Sequence, residues 1–290
     1  MQDAKSIIEK VRRIEIKTRR LSDQLFAGEY HSSFKGRGMS FAEVRPYQSG
    51  DEVRSIDWNV TARKRAPYIK VFEEERELTL NLVVDISTSM RFGTAERTKA
   101  EQLAEIAATL AFSAVGNNDK IGLVLFAGDV EKVIPPGKGR RHVMRIIKTI
   151  LETEATHPGS NVEAAMNHLL KVQKRHSIVF VLSDFLNTAP DKNYRIAAKR
   201  YDLCTLALYD QKEWTLPKVG LLPMKDLESG RVQWVNTSSG RFERELAKRQ
   251  GQHLAQLEQW SKVAGAGFIP LDSTADFVPP LLQFMKSKGR

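Results

Sequence analysis

The segment that most constrains this chain is Leu82-Val83-Val84-Asp85-Ile86-Ser87-Thr88-Ser89-Met90, an apolar run that ends on an acid followed by two hydroxyls two residues apart. Such a run reads as a strand with Asp85 at its carboxyl end. A second stretch, Ser177-Ile178-Val179-Phe180-Val181-Leu182-Ser183-Asp184, repeats the pattern and ends on Asp184. In a doubly wound sheet, ligands bind in the crevice outside the carboxyl ends of the strands, so both aspartates are expected on one rim. Between them, Pro158-Gly159-Ser160-Asn161 is a turn before a helix and brings Ser160 to the same rim.

The rest of the chain supplies the sheet those strands need. Strands are read at Leu78–Val84, Lys120–Phe126, Ser177–Leu182, Leu203–Tyr209 and Gly267–Leu271. Helices are read at Thr98–Val115, Arg140–Thr153, Asn161–Lys174, Phe242–Ala264 and from about Asp276 onward. Thr98 and Glu101 match a capping box, and Leu103, Ile106, Ala107, Leu110, Ala111 and Ala114 make the apolar stripe behind it. Strands spaced by helices predict an α/β fold, a doubly wound and mostly parallel sheet covered on both faces. A hairpin insertion is expected near 219–235, turning at Glu228-Ser229-Gly230.

Three segments follow from this reading. Residues 1–33 begin with a basic amphipathic helix over the first 26, on Ile7, Val11, Ile14, Leu21 and Leu25, with Thr18 in the missing apolar slot. Residues 34–77 form a small charged and aromatic module, with turns at Gly36-Arg37-Gly38 and Ser49-Gly50-Asp51 and a strand over Tyr68–Phe72. Arg45, Asp51, Arg54, Asp57 and Arg63 around Trp58 predict a module tied together by ion pairs. Residues 78–290 are the α/β domain. The length of 290 residues suits one large domain plus such a module.

Composition removes several classes of function. Hydrophobic residues at 41% and charged residues at 28% match a globular chain. The longest uncharged apolar stretch, Ile106 to Gly116, falls short of the roughly 20 residues that span a bilayer. The N-terminus has no apolar core or small-residue cleavage site, so the expected location is the cytoplasm. A lone cysteine, Cys204 in an apolar run, excludes an intrachain disulfide or a cysteine-based zinc site and reads as strand filler. None of the six histidines pairs with another at zinc-ligand spacing.

The chemistry that remains is that of hard oxygen donors. Two carboxylates and three hydroxyls, Asp85, Ser87, Ser89, Ser160 and Asp184, suit Mg²⁺ or Mn²⁺. Two aspartates only balance the charge of such an ion, so it could still accept a carboxylate from a partner protein.

These residues resemble the metal-ion-dependent adhesion site of the von Willebrand factor A-like fold, which begins with an Asp-x-Ser-x-Ser motif. The resemblance implies that Ser87 and Ser89 touch the metal and that Asp85 acts mainly through water. It also implies that Ser160 stands where the family usually has threonine, and that Asp184 is the distal aspartate. Ser183-Asp184-Phe185 replaces the common Thr-Asp-Gly. Upstream, Gly36-Arg37-Gly38-Met39-Ser40-Phe41, Arg45-Pro46-Tyr47, Gly50-Asp51, Arg54-Ser55-Ile56-Asp57-Trp58 and Lys70-Val71-Phe72-Glu73-Glu74-Glu75-Arg76 look like the signature of domain-of-unknown-function family 58. Ala27-Gly28-Glu29-Tyr30 and Asp276-Phe277-Val278-Pro279-Pro280-Leu281 extend that likeness over nearly the whole chain. Members of the family are commonly encoded beside MoxR-type AAA+ ATPases, which implies such an ATPase, or its client, as partner in protein maturation or assembly.

The expectation is therefore a non-enzymatic, metal-dependent protein-interaction protein. The alternatives are a metal-free scaffold of the same fold, a nucleic-acid-binding protein and a Mg²⁺-dependent phosphohydrolase. The net charge of +10 and the run Lys132 to Thr149, with Lys132, Lys138, Arg140, Arg141, Arg145 and Lys148 and no acid, would serve a nucleic acid. That run lacks aromatics for base stacking, which argues against it. A phosphohydrolase wants an acid two residues after its aspartate, where this chain has Ser87.

Overall fold

The computed structural model describes residues 12–15, 17–18, 39–74, 78–93, 98–186, 191–213, 217–225 and 232–288. The chain divides into two compact units, Lys35–Leu78 and the remainder. Gly36-Arg37-Gly38, Ala27-Gly28-Glu29-Tyr30, Glu75 and the hairpin turn at Glu228-Ser229-Gly230 lie outside the described residues.

In the smaller unit, strand β1 (Met39–Pro46) pairs antiparallel with β2 (Tyr68–Glu74), with a register shift between Phe41 and Glu43. Helix α1 (Trp58–Lys64) lies between them, and Asp57 caps it by accepting from the backbone N–H groups of Asn59 and Val60. Arg45 forks onto Asp51 at 2.8 and 2.7 Å, and Lys70 stands 3.5 Å from Asp57. Trp58, read from sequence as the centre of this charge cluster, is 69% exposed. Asp57 beside it is buried, because its carboxylate serves the helix N-terminus from below.

The larger unit is built on a six-stranded sheet. Its strands are β3 (Thr79–Asp85), β4 (Lys120–Phe126), β5 (Val130–Gly137), β6 (Ile178–Ser183), β7 (Asp202–Tyr209) and, beyond a separate hairpin of β8 (Leu221–Lys225) and β9 (Val232–Asn236), β10 (Gly267–Asp272). The spatial order is β10-β7-β6-β3-β4-β5, all parallel except β5, which runs antiparallel to β4 on the edge. This is the doubly wound, mostly parallel α/β architecture expected from the sequence. The winding reverses between β3 and β6, so the crevice of the sheet opens between those two strand ends.

Helices α2 (Lys99–Gly116), α3 (Arg140–Glu152), α4 (Val162–Val172), α5 (Lys192–Arg200), α6 (Gly240–Ala264) and α7 (Val278–Lys288) complete the unit. Strand residues alternate between faces. Val83, Val179 and Val181 pack with Met166, Leu169, Tyr194 and Ala197 of α4 and α5. The intervening Leu80, Leu82 and Val84 are fully buried, as are Ile106, Ala107 and Leu110 on α2. The Thr98–Glu101 capping box is formed as expected, with both reciprocal bonds. Of the helix read over the first 26 residues, 12–15 and 17–18 are described and helical. Thr18 is buried there and donates its hydroxyl to the Ile14 carbonyl, while Lys17 and Glu15 pair with Glu105 and Arg140.

Helix α1 and three further elements were not legible from periodicity. Strand β5 carries Pro135 and Pro136, which depress its strand signal and are tolerated because it is an edge. Helix α5 is short and polar, with Tyr194 and Ala197 as its buried residues. Strand β1 hides among glycine and charge signals. Part of the basic run at Lys132–Thr149 is therefore strand. Its helical part packs Val143, Ile146, Ile147 and Ile150 inward and leaves Arg141, Arg145 and Lys148 exposed, Arg140 being tied to Glu15.

Candidate strand-end site

Asp85 terminates β3 at the point where the winding reverses, and its carboxylate is buried. Every approach to it comes from a different loop. Oδ1 accepts the backbone N–H of Ser87 at 2.8 Å, a local turn that points the following hydroxyls back over the strand end. Oδ2 accepts the hydroxyls of Ser160 at 2.7 Å and Ser183 at 2.5 Å. Ser87 and Ser89 face each other, with their hydroxyls 3.1 Å apart. Burial pushes the Asp85 carboxyl up to about 6, and the Asp184 charge adds to that, against the three hydrogen bonds that favour the anion.

The loop carrying Ser160 is placed by backbone contacts. Asn161 N–H donates to the Ala127 carbonyl at 2.7 Å, and Gly128 N–H donates to the His157 carbonyl at 3.3 Å. Gly128 is needed for that approach, since a Cβ there would run into the Pro158 carbonyl. Asn161 then caps α4 by accepting from Ala164 N–H.

Asp184 follows β6 on the other side of the crevice. Phe185 after it adopts a left-handed backbone, φ 54°, where the family pattern has glycine. A residue with a Cβ pays about 1–2 kcal/mol for that conformation. The burial of the Phe185 ring in the core offsets that cost. Ser183 Oγ accepts the Phe185 N–H at 3.0 Å while donating to Asp85, so this serine ties the two aspartate loops together.

No sequence pattern marks Lys99. It is the first residue of α2, a position where a cation opposes the helix dipole and normally stays in water. Here its side chain is fully buried and its ammonium lies 2.7 Å from Asp184 Oδ2 and 2.6 Å from Glu213 Oε1. Glu213 sits in the short turn after β7. Burial works to lower the Lys99 pKa, yet the two carboxylates outweigh it and hold the ammonium protonated. Burial raises the pKa of Glu213.

Of the five residues singled out in the sequence, hydrogen bonds join Asp85, Ser87, Ser89 and Ser160 at one strand end, with Ser183 added, while Asp184 acts on Asp85 through its charge and is bridged by Lys99 to Glu213. Lys99 pairs with Asp184 and Glu213, and Asp85 adds a third carboxylate that feels the Asp184 charge, so three carboxylates and one ammonium leave two negative charges in a largely buried setting. Among the described residues no three His, Cys, Asp or Glu side chains gather as a metal cage. Here hydroxyls make up most of the donors. That donor set fits a hard divalent cation that keeps several waters, with Asp184 contributing charge and holding Lys99. Cys204 is fully buried in β7 with its thiol pushed up by burial, as inert as its apolar run implied.

A family model described as "Protein of unknown function DUF58" matches residues 43–256. An uncharacterized protein of Mycobacterium tuberculosis (strain ATCC 25618 / H37Rv) is 28% identical over 283 residues, 97% of this chain and 89% of that protein. The uncharacterized protein YeaD of Bacillus subtilis (strain 168) is 27% identical over 132 residues, 45% of this chain and 29% of that one. Among solved structures, the conserved hypothetical protein BatB from Bacteroides thetaiotaomicron aligns with TM-score 0.48 and 16% identity, over 73% of this chain and 98% of that chain. The SpRpn10 VWA domain aligns with TM-score 0.38 and 8% identity, over 71% of this chain and 94% of that chain.

Proposed function

This chain belongs to the DUF58 family of proteins of unknown function, and we propose that it is a non-enzymatic interaction protein that captures an acidic residue of a partner through a divalent cation at the strand-end site. Ser87, Ser89 and Ser160 would hold Mg²⁺ or Mn²⁺, with Asp85 and Asp184 nearby in direct or water-mediated contact. The observation that carries this reading is the surplus of two buried negative charges beside three hydroxyls at the sheet's switch point. When bound, such an ion supplies an open coordination position for a carboxylate. Asp85 orients Ser87 and Ser160 by accepting from the one's N–H and the other's hydroxyl. Lys99 holds Asp184 in place, so that approach of the partner's acid need not reorganise the far wall of the crevice.

A binding role is favoured over catalysis by the absence of a poised nucleophile in the described crevice: both Asp85 oxygens accept hydrogen bonds, and Ser87 is a poor general acid. The partner proposed is a MoxR-type AAA+ ATPase or its client, on the family association. Affinity-tagged chain incubated with the purified ATPase in Mg²⁺ is expected to retain it, and to release it in EDTA. The Asp85→Ala chain is expected to retain at least about tenfold less, the loss of one charge-assisted contact. An Asp85→Ala chain that stays folded and still holds the ATPase would contradict the reading.

A further inference from the structure

The hairpin of β8 and β9 is apolar on both faces, which a solvent-exposed hairpin normally avoids. Its register sets Pro223 opposite Trp234 and Leu221 opposite Asn236, so these residues and Val232 share one face. Trp234 is 67% exposed, Leu221 63% and Val232 57%. On the other face Leu222, Met224 and Val235 are half-buried. The base of the hairpin is fastened to the start of α6: Thr237 N–H donates to the Gly220 carbonyl at 2.8 Å, and Gly220 N–H to the Ser238 hydroxyl at 3.0 Å.

Helix α6 carries that hairpin away from the sheet. His253 Nε2 bonds the Asp184 carbonyl at 3.1 Å, which marks the rim of the sheet along the helix. Beyond it, Leu257, Ser261 and Ala264 are buried. Before it, Gly240 to Gln252 are mostly exposed, an arm of roughly 20 Å at 1.5 Å per residue. Arg241, Arg244 and Lys248 are exposed on this arm, and Lys218 is exposed at the hairpin base. The acids of this region are Asp226 and Glu228 in the sequence of the hairpin turn, set between Lys225 and Arg231, and Glu243 and Glu245 on the arm, of which Glu245 pairs with Arg249 at 3.0 Å.

We infer that the β8–β9 hairpin is a membrane-surface anchor, which inserts Trp234, Leu221 and Val232 into the interface of an anionic bilayer while the arginines of the α6 arm meet lipid headgroups. An indole flanked by exposed aliphatic side chains, with a net basic helix following it, matches an interface with hydrocarbon below and negative charge above. A second copy of the chain is a poorer occupant, because pairing two such arms would bring their arginines together. This inference is independent of the metal reading, and its test is made in EDTA.

The purified chain is sedimented with vesicles of pure phosphatidylcholine and with vesicles containing about one third phosphatidylglycerol. Binding to the anionic vesicles is expected, with a blue shift of tryptophan emission that the Trp234→Ser chain lacks. Partitioning is expected to fall about tenfold or more in Trp234→Ser/Leu221→Ser, from the apolar area lost, and to weaken in Arg241→Gln/Arg244→Gln and in high salt. All these positions are exposed, and an unchanged melting curve verifies that the variants fold. Absence of binding to anionic vesicles overturns the inference, as does equal binding by the double serine variant. A lipid-independent dimer that this variant converts to monomer would also overturn it, in favour of self-association.

Discussion

Replacing Lys99 with methionine is expected to lower stability by about 3–5 kcal/mol, the cost of leaving a buried ion pair half-broken. The ammonium is fully buried and bridges Asp184 and Glu213, which come from different strand ends. Methionine fills a similar volume, so the loss reports charge and not a cavity. Asp184 is then left between the charges of Asp85 and Glu213 without the cation that bridged it to Glu213. Urea unfolding at neutral pH in EDTA measures the loss. Adding Glu213→Gln to Lys99→Met is expected to recover part of it, because one of the uncompensated charges is removed. A Lys99→Met chain as stable as wild type would show that the ammonium is not what balances the crevice.

The second large effect concerns Asp85 and pH. Its carboxyl titrates near 6 in the folded chain and near 3.8 in the unfolded chain. Between those values the folded chain holds a proton that the unfolded chain has released. The favourable contribution of Asp85 is therefore present below about pH 4 and is lost as pH rises through 6. A shift of about two units corresponds to roughly 3 kcal/mol. Metal-free wild type is thus expected to lose that much stability between pH 4 and 7 relative to Asp85→Asn, whose amide carries no charge. Parallel pH profiles in EDTA, taken as the difference between the two chains, measure it. Difference curves that are flat across this window would contradict the burial-driven shift.

Much of this site was readable from local patterns. Two apolar runs, each ending on an aspartate, sufficed to put Asp85 and Asp184 on one rim, because a parallel sheet aligns all its strand ends. Ser160 was readable too, since a Pro-Gly turn before a helix has few ways to go. What stayed hidden depends on burial and on long-range partners. Lys99 lies 85 residues from Asp184 and 114 from Glu213 in sequence, and nothing in its neighbourhood marks it as buried. Ser183 was visible only as a departure from a family pattern, while its role in joining Asp85 to the Phe185 loop is tertiary. Strand β5 and helix α5 were missed for a related reason: an edge strand with prolines and a short polar helix are held by their neighbours more than by their own periodicity.

Everything proposed for the strand-end site depends on its holding a divalent cation. Calorimetric titration of Mn²⁺, and then Mg²⁺, into wild type and Ser87→Ala/Ser89→Ala measures that binding. These two hydroxyls bond each other and leave the Asp85 contacts to Ser160 and Ser183 in place, so the variant is expected to fold. One saturable site is expected in wild type, weakened about tenfold or more in the variant by the loss of two oxygen ligands. Absence of binding up to millimolar metal, or identical binding by the two chains, would contradict it.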